Sequence, residues 1–251
     1  MRLKPFLLLS ALLAASAASA QVSFTGLYTQ NFDTLATSGT TNAWTDNVTL
    51  PGWYAKTVNT GTVTNYIANA GTTTNGSLYS FGTATDRALG SIASGTTGAL
   101  RYGVALTNST GATINSIALA YTGEEWRNGG NTDVQTLGLD YAVGATAIDG
   151  TNYTLNALNF NSPTVGATAT ALDGNAAANR TALSTTLNNL GWGAGQTLWI
   201  RFFDPNDAGN DHGLAVDDFS VRANVQATPE PSAFAALGVG ALALLRRRRK
   251  A

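Results

Sequence analysis

Oxygen-bearing side chains crowd into one stretch of this sequence: Asp204, Asn206, Asp207, Asn210 and Asp211 precede His212-Gly213, and Asp217-Asp218 follow. A hard cation such as Ca2+ takes six to eight oxygen ligands at about 2.4 Å, so Asp204, Asn206, Asp207 and Asp211 form a candidate metal loop. It is not an EF-hand, because Ala208 stands where a third side-chain ligand belongs and the glutamate of the twelfth position is missing. A solvated Asp/Asn/Gly turn is the competing reading of the same residues.

His212, the one histidine, titrates near neutrality when unperturbed and could act as a general base beside Asp207 or Asp211. Neighbours within a turn seldom converge on one substrate atom, and no Gly-x-Ser-x-Gly elbow accompanies it, so a turn-stabilising or surface role is expected. Glu124-Glu125-Trp126-Arg127 offers two carboxylates and an aromatic ring. Consecutive strand residues point to opposite faces, so these two glutamates cannot together flank a glycosidic bond. A carboxylate beside a flat ring suits sugar binding, since a pyranose presents apolar C–H faces bordered by hydroxyls. Core packing is the default for each Trp, and Trp199 within Leu198-Trp199-Ile200 reads as core, whereas Trp126 beside charges and Trp192 between Gly191 and Gly193 are the candidates for exposure. Trp126, Trp192, Glu124 and Glu125 are therefore the candidate ligand-binding residues, and no residue is assigned a catalytic role.

Composition narrows the setting. Charged residues make up 12% of the 251, against a usual quarter, while Gly, Thr, Asn, Ser and Ala are abundant. Coiled coils and nucleic-acid binders are excluded, and the absence of cysteine removes disulfides, thiol nucleophiles and thiolate metal sites. The net charge of −1 conceals a segregation: seven of the fourteen basic residues lie at the two ends, leaving the body with seven against fourteen acids, or −7. That surface repels phosphate backbones.

The ends read as addresses. Arg2 and Lys4 precede the apolar run Phe6 to Leu13, and Ala18-Ser19-Ala20 closes a small-residue stretch, the layout of a secretory signal cleaved after Ala20. At the other end Pro229-Glu230-Pro231 is followed by uncharged Ser232 to Leu245 and then by Arg246, Arg247, Arg248, Arg249 and Lys250. Fourteen helical residues cover about 21 Å, which suits transient insertion with the basic cluster left cytoplasmic. This three-part order resembles the PEP-CTERM sorting signal of Gram-negative bacteria. The resemblance implies an exosortase-type protease as partner, removal of the tail, and delivery to the outer surface or the exopolysaccharide matrix.

Between a signal peptide at 1–20 and a sorting tail at 228–251, residues 21–227 form one body of short β-rich runs separated by Gly, Asn, Asp, Ser and Thr. Strands are expected at 22–28, 52–58, 78–81, 100–107, 114–121, 136–143, 155–160, 181–187, 197–203 and 214–221. A long loop or loose hairpin is expected over 57–76. Helical periodicity comes nearest at Gly174 to Leu187, but Asn and Thr weaken it. The expected fold is all-β, a two-sheet antiparallel sandwich of jelly-roll type. In the last strand Leu214 and Val216 share one parity and Phe219 and Val221 the other, so a β-bulge is expected at Asp217-Asp218.

Asn31-Phe32-Asp33 with Leu50-Pro51-Gly52-Trp53, and Gly213 to Val221 at the end, resemble the opening and closing strands of carbohydrate-binding and MAM-like jelly rolls. The body also resembles an uncharacterised secreted domain found with PEP-CTERM tails. The jelly-roll resemblance implies a structural Ca2+ shared by Asp33 and Asp217 or Asp218, tying the chain ends together. The functional expectation is a non-enzymatic β-sandwich that binds or organises extracellular polysaccharide. A purely structural matrix component, or a hydrolase with an unrecognised carboxylate pair, are the alternatives.

Overall fold

The computed structural model describes residues 21–224, so the expected signal peptide and the sorting tail, with the membrane insertion expected of it, lie outside the described residues. Within them the chain forms sixteen strands and no helix. They are β1 (Val22–Phe24), β2 (Leu27–Gln30), β3 (Gly39–Ala43), β4 (Trp53–Thr57), β5 (Gly61–Thr62), β6 (Asn65–Asn69), β7 (Ser77–Gly82) and β8 (Arg87–Ile92). The second half contributes β9 (Leu100–Asn108), β10 (Ile117–Asn128), β11 (Thr136–Val143), β12 (Thr154–Asn161), β13 (Thr170–Ala171), β14 (Arg180–Leu187), β15 (Thr197–Asp204) and β16 (Gly213–Ala223).

The strands build two mostly antiparallel sheets. The seven-stranded sheet runs β12-β11-β15-β9-β4-β5, with β1 pairing parallel to the far end of β9. In the nine-stranded sheet the order is β13-β10-β16-β8-β7-β6-β3, with β14 also on β10 and β2 also on β16. Between β8 and β11, and again from β14 to β16, each successive strand lies in the opposite sheet, the winding of a jelly roll. The expected first strand is split by this exchange: Gly26, at φ 122°, turns the chain from β1 in one sheet to β2 in the other.

Aromatic rings fill the gap between the sheets. Phe32 and Phe219 meet Trp53 edge-on with centroids 4.8 and 5.5 Å away, and Phe202 links Phe219 to Tyr121 at 6.1 and 5.0 Å. Such offset and T-shaped contacts suit the ring quadrupole and add to the burial of apolar area. Two smaller cores lie on the outer faces. Trp199 packs with Ala105 and Ile148 outside the first sheet, and Trp126 with Tyr79 and Phe81 outside the second.

The sandwich and all ten expected strand regions are present, with shifted ends. Residues 57–76, expected as a loop or loose hairpin, contain β5 and β6, whose Tyr66, Ile67 and Ala68 are buried. The weak helical pattern at Gly174 to Leu187 resolves into a turn and β14, an edge strand of Thr, Ser and Ala facing solvent.

Candidate functional site

The aromatic and acidic residues expected at a ligand surface are inside the protein. Trp126, Trp192, Glu124 and Glu125 are each at most 1% exposed, which corrects the reading of both rings as candidates for exposure. The reason is local. Instead of ending at Tyr121, β10 runs on to Asn128 with β16 on one side and β14, then β13, on the other, and the chain at 172–174 folds over it. Trp126 stacks parallel to Phe81 at 6.3 Å, its Nε1 donates to Glu124 Oε2 at 2.8 Å, and a Cβ on Gly174 would lie 2.4 Å from the ring. Trp192 packs on Phe24 at 5.0 Å and donates to the Gln196 carbonyl. Among the described residues no aromatic side chain is exposed.

The carboxylates of the candidate metal residues Asp33, Asp204 and Asp211 accept hydrogen bonds from protein donors. Asp33 Oδ1 accepts from the Arg87 amide at 3.0 Å and its Oδ2 from Asn31 Nδ2 at 2.7 Å. Asp204 is buried at the end of β15, where its Oδ2 accepts from the Ser91 hydroxyl at 2.6 Å. Asp211 Oδ1 accepts from the Asp207 amide, Asn206 is exposed, and Asn131 and Gln135 hold the 208–210 carbonyls. Among the described residues no three acidic or histidine side chains converge as ligands of one ion.

His212 does not serve the surface. It is buried, with Nδ1 2.8 Å from Glu125 Oε1 and its amide donating to Gln135 Oε1, so its partner is a glutamate on β10 and not a neighbouring aspartate.

The bulge expected in the final strand is present and shapes the outer face of the second sheet. Ala120 pairs with Ser220 but Thr122 pairs with Asp217, so β16 spends one extra residue there, and Asp218 takes φ 49°. Val216 and Phe219 both reach the core while Asp217 and Asp218 lie outward. Burial pushes Asp217 up to about 8, and Glu124, diagonal to it across the β10–β16 pair, adds to the rise. Burial likewise lifts Glu124 to about 7, and Asp86 and Asp218 raise it further.

Beside the bulge the same face is open. The register aligns Ser184, Ala120, Ser220 and Thr29 across β14, β10, β16 and β2, and the next row is Thr186, Ala118, Arg222 and Leu27. These rows line a trough of about 540 Å3. At about 4.8 Å per strand its floor is roughly 14 Å wide. Alanines keep the floor low, hydroxyls rim it, and Arg222 is exposed. Three ladders of backbone hydrogen bonds hold these four strands in register, so the surface is pre-formed. Nothing in the sequence marked it, because its residues are the small Ser, Thr and Ala types found everywhere in this chain. Only register places them side by side.

Residues 227–250 match the PEP-CTERM protein-sorting motif, so the chain carries a sorting signal at its C-terminal end. No curated protein matches the sequence. Among solved structures, the CBM22-2 xylan-binding domain of Paenibacillus barcinonensis Xyn10C is similar at 10% identity and TM-score 0.40, covering 78% of this chain and 99% of that one. The N-terminal cellulose-binding domain of Cellulomonas fimi β-1,4-glucanase C is similar at 17% identity and TM-score 0.33, covering 72% and 93%. The K3 cleaved adhesin domain of Lys-gingipain from Porphyromonas gingivalis is similar at 14% identity and TM-score 0.40, covering 68% and 92%. No residue of this chain takes a role from them.

Proposed function

We propose that this chain is an exported, non-enzymatic protein of a Gram-negative bacterium, delivered by its C-terminal motif to the cell surface or surrounding matrix, where the sandwich binds an extracellular polysaccharide. An exosortase-type protease removes the tail after the Pro229-Glu230-Pro231 segment. The trough over β14, β10, β16 and β2 supports the binding role. It is a solvent-open surface on four paired strands, and its hydroxyls match a ligand whose own surface is hydroxyls. Water-bridged hydrogen bonds suit such a face.

A purely structural surface component is the second reading, and the burial of all five tryptophans favours it, because none of them offers a stacking platform. Isothermal titration of the purified full-length protein against a panel of soluble polysaccharides separates the two. Binding that disappears in Ala120→Trp, with melting unchanged, supports the trough. Binding to none of the panel favours the structural reading.

A further inference from the structure

The charge of the ligand can be read from one side chain. Five of the body's seven cations are held by an ion pair, a hydrogen bond or an aromatic ring. Lys56 pairs with Asp149 at 2.7 Å, Arg201 with Asp140, and Arg87 is tied to Ser80 and the Thr83 carbonyl. Arg127 donates to the Gly71 carbonyl, Arg101 lies over the Phe203 ring at 4.8 Å, and Arg180 faces Glu124 across the β14–β10 pair. Arg222, like Arg180, is exposed and has no hydrogen-bond or ion-pair partner among the described residues, but unlike Arg180 it has no acidic residue opposite it on a paired strand. Its cross-strand neighbours are Ala118 and Leu27 and its same-face neighbours along the chain are Ser220 and Asn224, none of them acidic.

A guanidinium presents five donors in a planar fork that fits a carboxylate with two parallel hydrogen bonds. Here that fork stands at the edge of rows of hydroxyls from Thr29, Ser184, Thr186 and Ser220, which can meet the hydroxyls of a sugar ring. The carboxylates of Asp217 and Asp218 lie along the strand, roughly 13 Å away at 3.3 Å per residue, far enough that salt screens them from an anion seated on Arg222. In a body of net charge −7, an unpaired arginine in the trough is the one feature that attracts an anion there.

We infer that the trough selects an acidic polysaccharide, with Arg222 holding a uronate carboxylate while the surrounding hydroxyls hold the sugar. This rests on the trough reading above. The test is isothermal titration of the full-length protein with polygalacturonate, dextran sulfate and neutral dextran at low and moderate salt, for the parent and for Arg222→Ala, Arg222→Lys and Ala120→Trp. Polygalacturonate binds and dextran does not. Arg222→Ala weakens that binding about tenfold or more, Arg222→Lys recovers part of it, and added salt weakens the parent but not Arg222→Ala. Binding of dextran sulfate alone overturns the carboxylate assignment. A neutral polymer whose binding is lost in Ala120→Trp but kept in Arg222→Ala overturns the acidic-ligand inference and leaves the trough in place. Failure of every polymer to bind overturns both.

Discussion

His212 Nδ1 lies 2.8 Å from Glu125 Oε1, and both side chains are fully buried where the 205–212 segment closes onto β10. Glu125 Oε2 accepts from the Thr164 amide at 2.7 Å, so one carboxylate ties the 162–166 segment and the start of β16 to the centre of the sheet. The pair acts on the fold and faces away from the trough, since Glu125 and the trough's Ala118 and Ala120 lie on opposite faces of β10.

Removing either partner strands the other in the interior, at a cost of about 3–5 kcal/mol. For a domain of this size each kcal/mol moves the melting temperature by about 2–4 °C, so His212→Ala and Glu125→Ala should each lower it by roughly 10 °C. The double substitution should cost less than the sum of the two. Differential scanning calorimetry checks this. Single variants that melt within 2 °C of the parent would show that the pair is not structural.

Acid should stabilise this protein, contrary to the behaviour of most globular domains. Burial raises Asp204 and Asp217 to about 8 and Glu124 to about 7, so the folded chain keeps protons that the unfolded chain releases near pH 4. The unfolded state thus binds fewer protons between pH 4 and 8, and stability falls as pH rises through that window. The gain is complete below pH 4 and gone above 8. Melting temperatures should therefore rise on titration from pH 8.5 to 5.5, and Asp204→Asn, which keeps an oxygen for the Ser91 hydroxyl, should flatten the slope and raise the pH 8.5 value. A parent that melts highest at pH 8.5 would refute the assignment.

These two sites show what the sequence discloses and what it hides. The bulge was legible because Val216 and Phe219 break parity across Asp217-Asp218, and no register satisfies both without an extra residue. Trp126 was misplaced because its exposure depends on the turn around Gly174 folding back over the ring, a contact between residues 48 positions apart. β8 escaped notice because Arg87-Ala88-Leu89-Gly90-Ser91-Ile92 is buried on both faces, so no alternation marks it, and its polar side chains find partners distant in sequence or in a turn: Arg87 in Ser80 and the Thr83 carbonyl, Ser91 in Asp204. The trough is hidden for a related reason. Ser184, Ala120, Ser220 and Thr29 are unremarkable singly, and only three strand pairings make them one surface.

Export predicts a defined first residue. Gln21 Oε1 accepts from the hydroxyls of Thr197 at 2.6 Å and Thr107 at 3.2 Å, so the residue after Ala20 is anchored to β15 and β9. Protein recovered from a host with an exosortase should begin at Gln21 and lack the segment beyond about Pro231. Intact mass decides it, and a secreted product still carrying Arg246 to Lys250 would sink the sorting route.

The bulge makes one deletion unusually well tolerated. Without Asp218, Asp217 stays opposite Thr122, Phe219 comes opposite Tyr121 and Ser220 stays opposite Ala120, giving an unbroken antiparallel ladder. Val216 and Phe219 keep facing the core, and the deletion also removes a non-glycine residue at φ 49°, a conformation costing about 1–2 kcal/mol. Removing Ser220 instead makes Phe219 and Val221 consecutive, and one of them must leave the core along with the residues in phase with it. Each large apolar side chain turned outward forfeits about 1.5–3 kcal/mol. The Asp218 deletion should therefore melt within a few degrees of the parent, and the Ser220 deletion should melt at least about 10 °C lower or fail to fold. Equal loss in the two deletions would mean that the extra residue is required by the sheet rather than accommodated by it.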